Sequence, residues 1–170
     1  MTFTYESDYL PYIAHLKAEH RKIDDVVKRI QAWLLLESPP APEHSECDRL
    51  EILKRQLGSL RNLLKGHFEE EEAGGCVEEA ISRNPSLSSA AGELESEHRG
   101  LLAQLDRMIE NVTRAGFATG TAAAFEDAFN MFAKELYDHE TRENRILEQG
   151  FNVTPDNGGR NDQPGLPLAN

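Results

Sequence analysis

No stretch of this chain approaches the ~18 consecutive apolar residues that a membrane span requires, although 39% of its residues are hydrophobic. Its opening, Met1-Thr2-Phe3-Thr4-Tyr5-Glu6-Ser7-Asp8, has no basic region followed by an apolar run, so it does not read as a signal peptide. Both absences lead to the expectation of a cytoplasmic protein with no membrane partner. Positive charge is scarce as well: 18 Lys and Arg stand against 30 Asp and Glu, a formal charge of −12. Such a surface repels phosphate backbones and anionic lipid, so nucleic acid is not an expected partner either. Cysteine is nearly missing. Cys47 and Cys76 lie 29 positions apart and form no CxxC motif. If one helix carries both, a rise of ~1.5 Å per residue separates them by roughly 43 Å. That excludes a disulfide between them and suits a reducing compartment. Sustained period-two alternation is absent, which argues against sheet, and the chain has neither a nucleophilic triad nor a phosphate-binding glycine loop.

What is present is helix. At 170 residues the chain is long enough to bury one core without staples, and its breakers divide it into four long segments. Helix A is expected from about Asp8 to Leu36, with Ser7 or Asp8 as cap, Pro11 in the first turn and Ser38-Pro39-Pro40 as the stop. A polar loop over 37–47 leads to helix B, from near Asp48 to at least Ala73. Gly74-Gly75 weakens that helix, Val77 to Ile81 can continue it, and Asn84-Pro85 ends it. Helix C should run from Ser86 or Ser88 to Arg114, before Ala115-Gly116. Helix D should run from Thr121 to Gln149, with Gly150 as its stop. The expected organisation is an all-α antiparallel four-helix bundle over residues 1–150, followed by an irregular Pro, Gly and Asn-rich tail over 151–170.

Each helix carries an apolar stripe with alternating spacings of three and four. The stripes read Ile13, Leu16, His20, Ile23, Val27, Ile30, Leu34 in helix A and Leu50, Leu53, Leu57, Leu60, Leu64, His67, Glu71 in helix B. Helix C gives Leu87, Ala91, Leu94, His98, Leu101, Leu105, Met108, Val112, and helix D gives Phe125, Phe129, Phe132, Leu136, His139, Glu143, Ile146. Every stripe is interrupted by one histidine. A single histidine so placed is ordinarily a hydrogen-bonded core residue. Four on a two-in-seven stripe would fall there by chance in about 0.7% of cases. His15, beside the helix A stripe, and His44, in the A–B loop, are read as solvent-side residues.

The levels also agree. His20 lies 16 residues before the end of helix A and His67 lies 19 after the start of helix B; His98 lies 16 before the end of helix C and His139 lies 18 after the start of helix D. Mismatches of two or three residues amount to about 3–4.5 Å along the axis. Six ionisable side chains should therefore share one layer of an antiparallel core. Such a layer is costly unless something neutralises it. A pair of metal cations does so, since imidazole nitrogen and carboxylate oxygen suit several of them. A histidine and the glutamate four residues later share one helix face, so the two can reach neighbouring ions.

The ordered set His20, His67-Phe68-Glu69-Glu70-Glu71, His98 and His139-Glu140-Thr141-Arg142-Glu143 resembles the hemerythrin-like family of HHE cation-binding domains over about residues 8–149. The phrases Glu19-His20-Arg21 and Glu97-His98-Arg99 are similar to that family's doubled pattern. The resemblance implies an up-down-up-down bundle and a non-haem centre of two iron ions with an oxo or hydroxo bridge, although other divalent metals suit the same donors. It makes His20, His67, His98 and His139 terminal ligands and Glu71 and Glu143 bridging carboxylates. Oxygen-carrying members have a histidine four residues before the one on the third helix, where this chain has Leu94. They also have HxxxxD on the fourth helix, where this chain has HxxxE. Water, an exogenous ligand, Glu97 or Glu95 could take the missing place. Ferritin-like bundles use Glu-x-x-His on two helices; Glu95-Ser96-Glu97-His98 has that spacing, but Leu136 stands at the matching position before His139. The leading expectation is a binding or sensing protein for dioxygen, nitric oxide or iron. An oxidoreductase or an iron–sulfur cluster repair protein is the second reading, and a structural bundle with a degenerate site the third.

Overall fold

The structure, a computed structural model, describes residues 10–36, 46–73, 75–115 and 121–152. Helix α1 spans Leu10–Leu36, α2 Glu46–Glu72 and α3 Cys76–Arg83; a 3-10 turn at Pro85–Leu87 leads into α4, Ser88–Ala115, and α5 spans Thr121–Phe151. Among the described residues there is no strand, and no helix is long and apolar enough to cross a membrane. The expected caps at Ser7 and Asp8, the stop at Ser38-Pro39-Pro40, His44, Gly116 and the tail beyond Asn152 lie outside the described residues.

Helix B differs from its expected form. It is broken rather than merely weakened: α2 ends at Glu72 and α3 begins at Cys76 after an extended Gly75, with φ −88° and ψ −160°. Adjacent glycines lose the most backbone freedom in a helix, which explains where the break falls. The ladder nearly survives, because Gly75 N–H still donates to Glu71 C=O at 3.4 Å and Glu79 N–H to Gly75 C=O at 3.5 Å. Cys47 and Cys76 are thus on separate helices, although α2 still stands between them. Asn84 then turns extended ahead of Pro85, as proline demands of the residue before it.

The four long helices form a ring, α1–α2–α4–α5, in which every neighbouring pair is antiparallel. Cross-helix bonds establish the direction. Arg61 on α2 reaches Asp106 on α4, and further along Glu72 reaches His98. Gln104 on α4 reaches Glu135 on α5, while Arg142 reaches back to Glu97. Gln31 on α1 bonds Asn130 on α5, and His20 sits against Glu143. This is the up-down-up-down bundle that the stripes predict.

The stripes form the core, and the core is in two parts. A larger cluster fills one end, with Ile30, Leu53, Leu57, Leu60, Leu64, Leu105, Phe129 and Phe132 sealed from solvent. Each such side chain gains about 1.5–3 kcal/mol over an exposed one. A smaller cluster of Leu16, Cys76, Ala80, Leu87, Ala91, Leu94, Ile146, Leu147 and Phe151 closes the other end, and α3 supplies its lid. The four histidines lie between them.

Gly150 is not the stop of helix D. It lies inside α5, where an added Cβ would fall on the Ala80 side chain and 2.6 Å from its Cα. The helix instead closes two residues later, at Asn152, whose φ of 53° is the left-handed conformation of a C-terminal cap. Phe151, expected at the head of the tail, is buried in the last turn. Gly150 is therefore a contact residue that lets α3 lie against α5. Gly150→Val should lower stability by about 1–3 kcal/mol through overpacking. Gly58→Ala, on α2 with open space around its Cβ, should raise it by up to about 1 kcal/mol. Thermal melts of the two variants check this; an unchanged melting temperature for Gly150→Val would remove the close-contact argument.

Candidate metal centre

His20 comes from the middle of α1, His67 and Glu71 from the last turns of α2, His98 from α4, and His139 and Glu143 from α5. All four histidines and Glu143 are buried, and the Glu71 side chain is 6% exposed. The structure brings all six sequence-predicted residues together. His20, His67, Glu71 and Glu143 each offer one donor atom to a common space, as do Glu71, His98 and His139, with the donors of each group within 4.8 Å of one another. Glu71 belongs to both groups. Its Oε1 lies 3.0 Å from His67 Nε2, and its Oε2 lies 3.3 Å from His98 Nε2.

The inward-facing atoms are poorly satisfied. His20 Nε2 and His67 Nε2 face each other at 3.2 Å, and His20 Nε2 is 3.2 Å from Glu143 Oε2 without hydrogen-bond alignment. Both Glu143 oxygens and His139 Nε2 are buried without an aligned hydrogen-bond partner, and Glu71 Oε1, though 3.0 Å from His67 Nε2, is not aligned for one either. Orphaned donors and acceptors on this scale cost about 1–3 kcal/mol each. Cations between them would satisfy all of these atoms at once, so the residues fit a metal pair.

Outward, three of the rings are held by carboxylates. Nδ1 of His67 faces Glu19 at 3.4 Å, that of His98 faces Glu72 at 2.9 Å, and that of His139 faces Glu97 at 3.0 Å. A proton on Nδ1 shared with a carboxylate leaves the Nε2 lone pair pointing inward, which is the tautomer a ligand needs. Glu97 is itself gripped by both terminal nitrogens of Arg142, at 2.7 and 2.6 Å. His20 differs, because its Nδ1 is buried without a partner. Phe68 packs within the cluster, stacked on His98 at 4.0 Å and 4° and edge-on to His139.

Electrostatics follow from this geometry. Burial, with repulsion from Glu71, pushes the Glu143 carboxyl up to about 9. Glu71 is held well below the ordinary carboxylate range, because His67 and His98 outweigh its own burial. Burial pulls His67 down, but Glu71, Glu143 and Glu19 outweigh it and raise that imidazole to about 9. His20 and His139 are lowered, chiefly by burial. Glu140, which the sequence pattern does not single out, is raised to about 7 by burial beside this layer. The acidic run Glu69 to Glu72 also ends α2, where the helix dipole disfavours anions. Positive charge in the layer would offset this too.

Neither Glu97 nor Glu95 stands in for the histidine missing at Leu94. Glu97 faces the back of His139, and Glu95 is exposed. Leu94 belongs to the smaller apolar cluster. His15 is half-exposed, near Glu19 and Glu70, and contributes no atom to either buried group.

The hemerythrin HHE cation-binding domain matches residues 12–149, most of the chain, and the chain belongs to that family. No curated protein and no solved structure matches it.

A pH dependence follows for the metal-free protein. Glu143 keeps its proton in the folded state up to about 9, whereas an unfolded glutamate loses it near 4.3. Between those values the folded state binds more protons, so stability falls as pH rises. His67, raised to about 9, adds to the fall above its unfolded value of about 6.5. Below about 6.5 the lowered His20 and His139 oppose this fall, because there their unfolded forms hold the extra protons. Chelator-treated protein should therefore lose stability to urea between about pH 7 and pH 9, less steeply in Glu143→Gln. A wild-type profile that rises over this window would contradict the charge assignment.

Proposed function

We propose that this hemerythrin HHE family member holds two iron ions and uses them to bind or sense dioxygen, nitric oxide or iron itself. The family is cation-binding. The observation that carries the further step is Glu71, whose carboxylate belongs to both donor groups at once. One carboxylate shared by two donor sets suits a metal pair, because its two oxygens could each serve a different ion. His20, His67 and Glu143 would complete one side, and His98 and His139 the other. Iron suits mixed imidazole and carboxylate donors of this kind and would supply redox change and open coordination for a small ligand. The chain's own residues orient the imidazoles through Glu19, Glu72 and Glu97, and Phe68 and the flanking apolar clusters pack around the layer.

The two sides are unequal. One has four donors with two carboxylates, while the other has three, next to Leu94. That inequality favours the second reading, a di-iron oxidoreductase or iron–sulfur cluster repair protein, over reversible oxygen carriage. A purely structural bundle would leave Glu143 and the inward nitrogen of His139 buried at full cost.

Protein grown with ample iron should contain two metal ions per chain, mainly iron. Glu143→Ala should lose at least one of them, and breaking the buried cluster should cost about 3–5 kcal/mol. His15→Ala should keep both ions. Elemental analysis and thermal melts of the three proteins check this together; a wild-type chain free of metal sinks the reading. The reduced protein should oxidise irreversibly in air, followed by its absorption spectrum. Full return of the reduced spectrum on simply removing dioxygen would instead establish a carrier.

A further inference from the structure

Resting on that reading, we propose that the cavity between α3 and α4 is the port through which metal cations reach the centre. The cavity measures about 360 Å³, several times the ~30 Å³ share of one water molecule. Its lining changes character with depth. At the rim stand three exposed or half-exposed carboxylates, Glu72, Glu78 and Glu95. Below them the wall is apolar, with Ile81 and the buried Leu94. The inner end is His98, Glu71 and Glu143. Both Glu143 oxygens are buried there without a hydrogen-bond partner, so the cavity ends on an unsatisfied carboxylate. Two other cavities, beside Arg29 and Arg55 and beside Gln104 and Glu135, include none of the six donor residues.

The order of these groups suits a cation and not an anion. Carboxylates at the rim of a low-dielectric cleft concentrate positive ions and repel negative ones. Leu94 lines the wall without offering a donor, where a histidine would hold the cation short of the centre. The break in helix B contributes as well, because α3 lies apart from α2 and forms one wall of the opening. Glu72 sits at the junction: one oxygen bonds His98 Nδ1, and the residue lines the rim.

Two kinds of variant test the port on the full chain. Gly92 also lines the cavity, and a Cβ there meets nothing within 4 Å, so Gly92→Phe can fill the space without a backbone clash. Glu78→Gln with Glu95→Gln removes rim charge without touching a donor residue. Gly58→Phe, on α2 with equally open space, is the control. Each protein is stripped of metal, and uptake of cobalt(II) is followed by stopped-flow absorption and then by end-point metal analysis. Gly92→Phe should slow uptake about tenfold or more, which corresponds to ~1.4 kcal/mol in the entry barrier, and should reach the wild-type end point. The double glutamine variant should slow it about tenfold at low salt, the lower end of field focusing in charged clefts, and lose much of the salt dependence. Gly58→Phe should match wild type. Wild-type uptake rates in both Gly92→Phe and the double variant, with full final loading, would overturn the port and leave the metal centre standing. If Gly92→Phe does not fold, the double variant decides alone. A wild-type chain that takes up no cobalt(II) would overturn the port and the metal centre together.

Discussion

Two buried glutamates, Glu71 and Glu143, share a space in which both cannot be charged without positive charge between them, and much of the molecule is arranged around that constraint. In the metal-free chain the conflict is relieved asymmetrically. Glu71 takes the negative charge because His67 and His98 face it, and Glu143 is driven toward the protonated form. Neither adjustment gives the Glu143 oxygens a well-aligned partner. The layer is thus stable enough to persist inside the fold and unsatisfied enough to favour cations, and burial sets both properties.

The constraint also explains why the apolar core is divided. A single continuous core would pack more uniformly, but the ionisable layer separates a large cluster around Leu57 and Phe129 from a small one around Ala80 and Phe151. The large cluster is an ordinary bundle core, drawn from all four long helices. The small one has α3 as a lid, which lies there because the helix breaks between Glu72 and Cys76 and because Gly150 lets it approach α5. Local irregularities in sequence therefore collect at the end of the bundle where the site and its opening lie.

Most of the helical frame was legible in the sequence, because burial on one helix face leaves a period that composition cannot hide. His20, His67, His98 and His139 stood out as the polar interruptions of that period, and Glu71 and Glu143 followed from the same rows. The outer carboxylates were not legible. Glu19, Glu72 and Glu97 sit on polar faces among 30 acidic residues, and nothing in spacing separates those that touch a histidine from those that touch water. Phe68 was missed because it lies one position off the row through His67, although a large aromatic four residues after Leu64 was a usable signal. Gly150 was misread because a glycine near a helix end marks a stop far more often than a close crossing. The junction after Glu72 was recognised as weak, but whether two glycines bend or break a helix depends on what α3 can bury beyond them.

The distribution of donors over the ring has a mechanical consequence. Helices α1–α2–α4–α5 touch around the perimeter, whereas α2 and α5 face each other across the diagonal. A four-sided frame joined only at its corners can lean into a rhombus without stretching any side. Here α2 and α5 contribute two donor residues each, and α1 and α4 one each. Ions held between Glu71 and Glu143 would act as a strut across that diagonal, adding to the packed core a second element that opposes such a lean. In those terms the centre would set the shape of the frame as well as its charge, and a change in the length of the strut would be felt along all four helices.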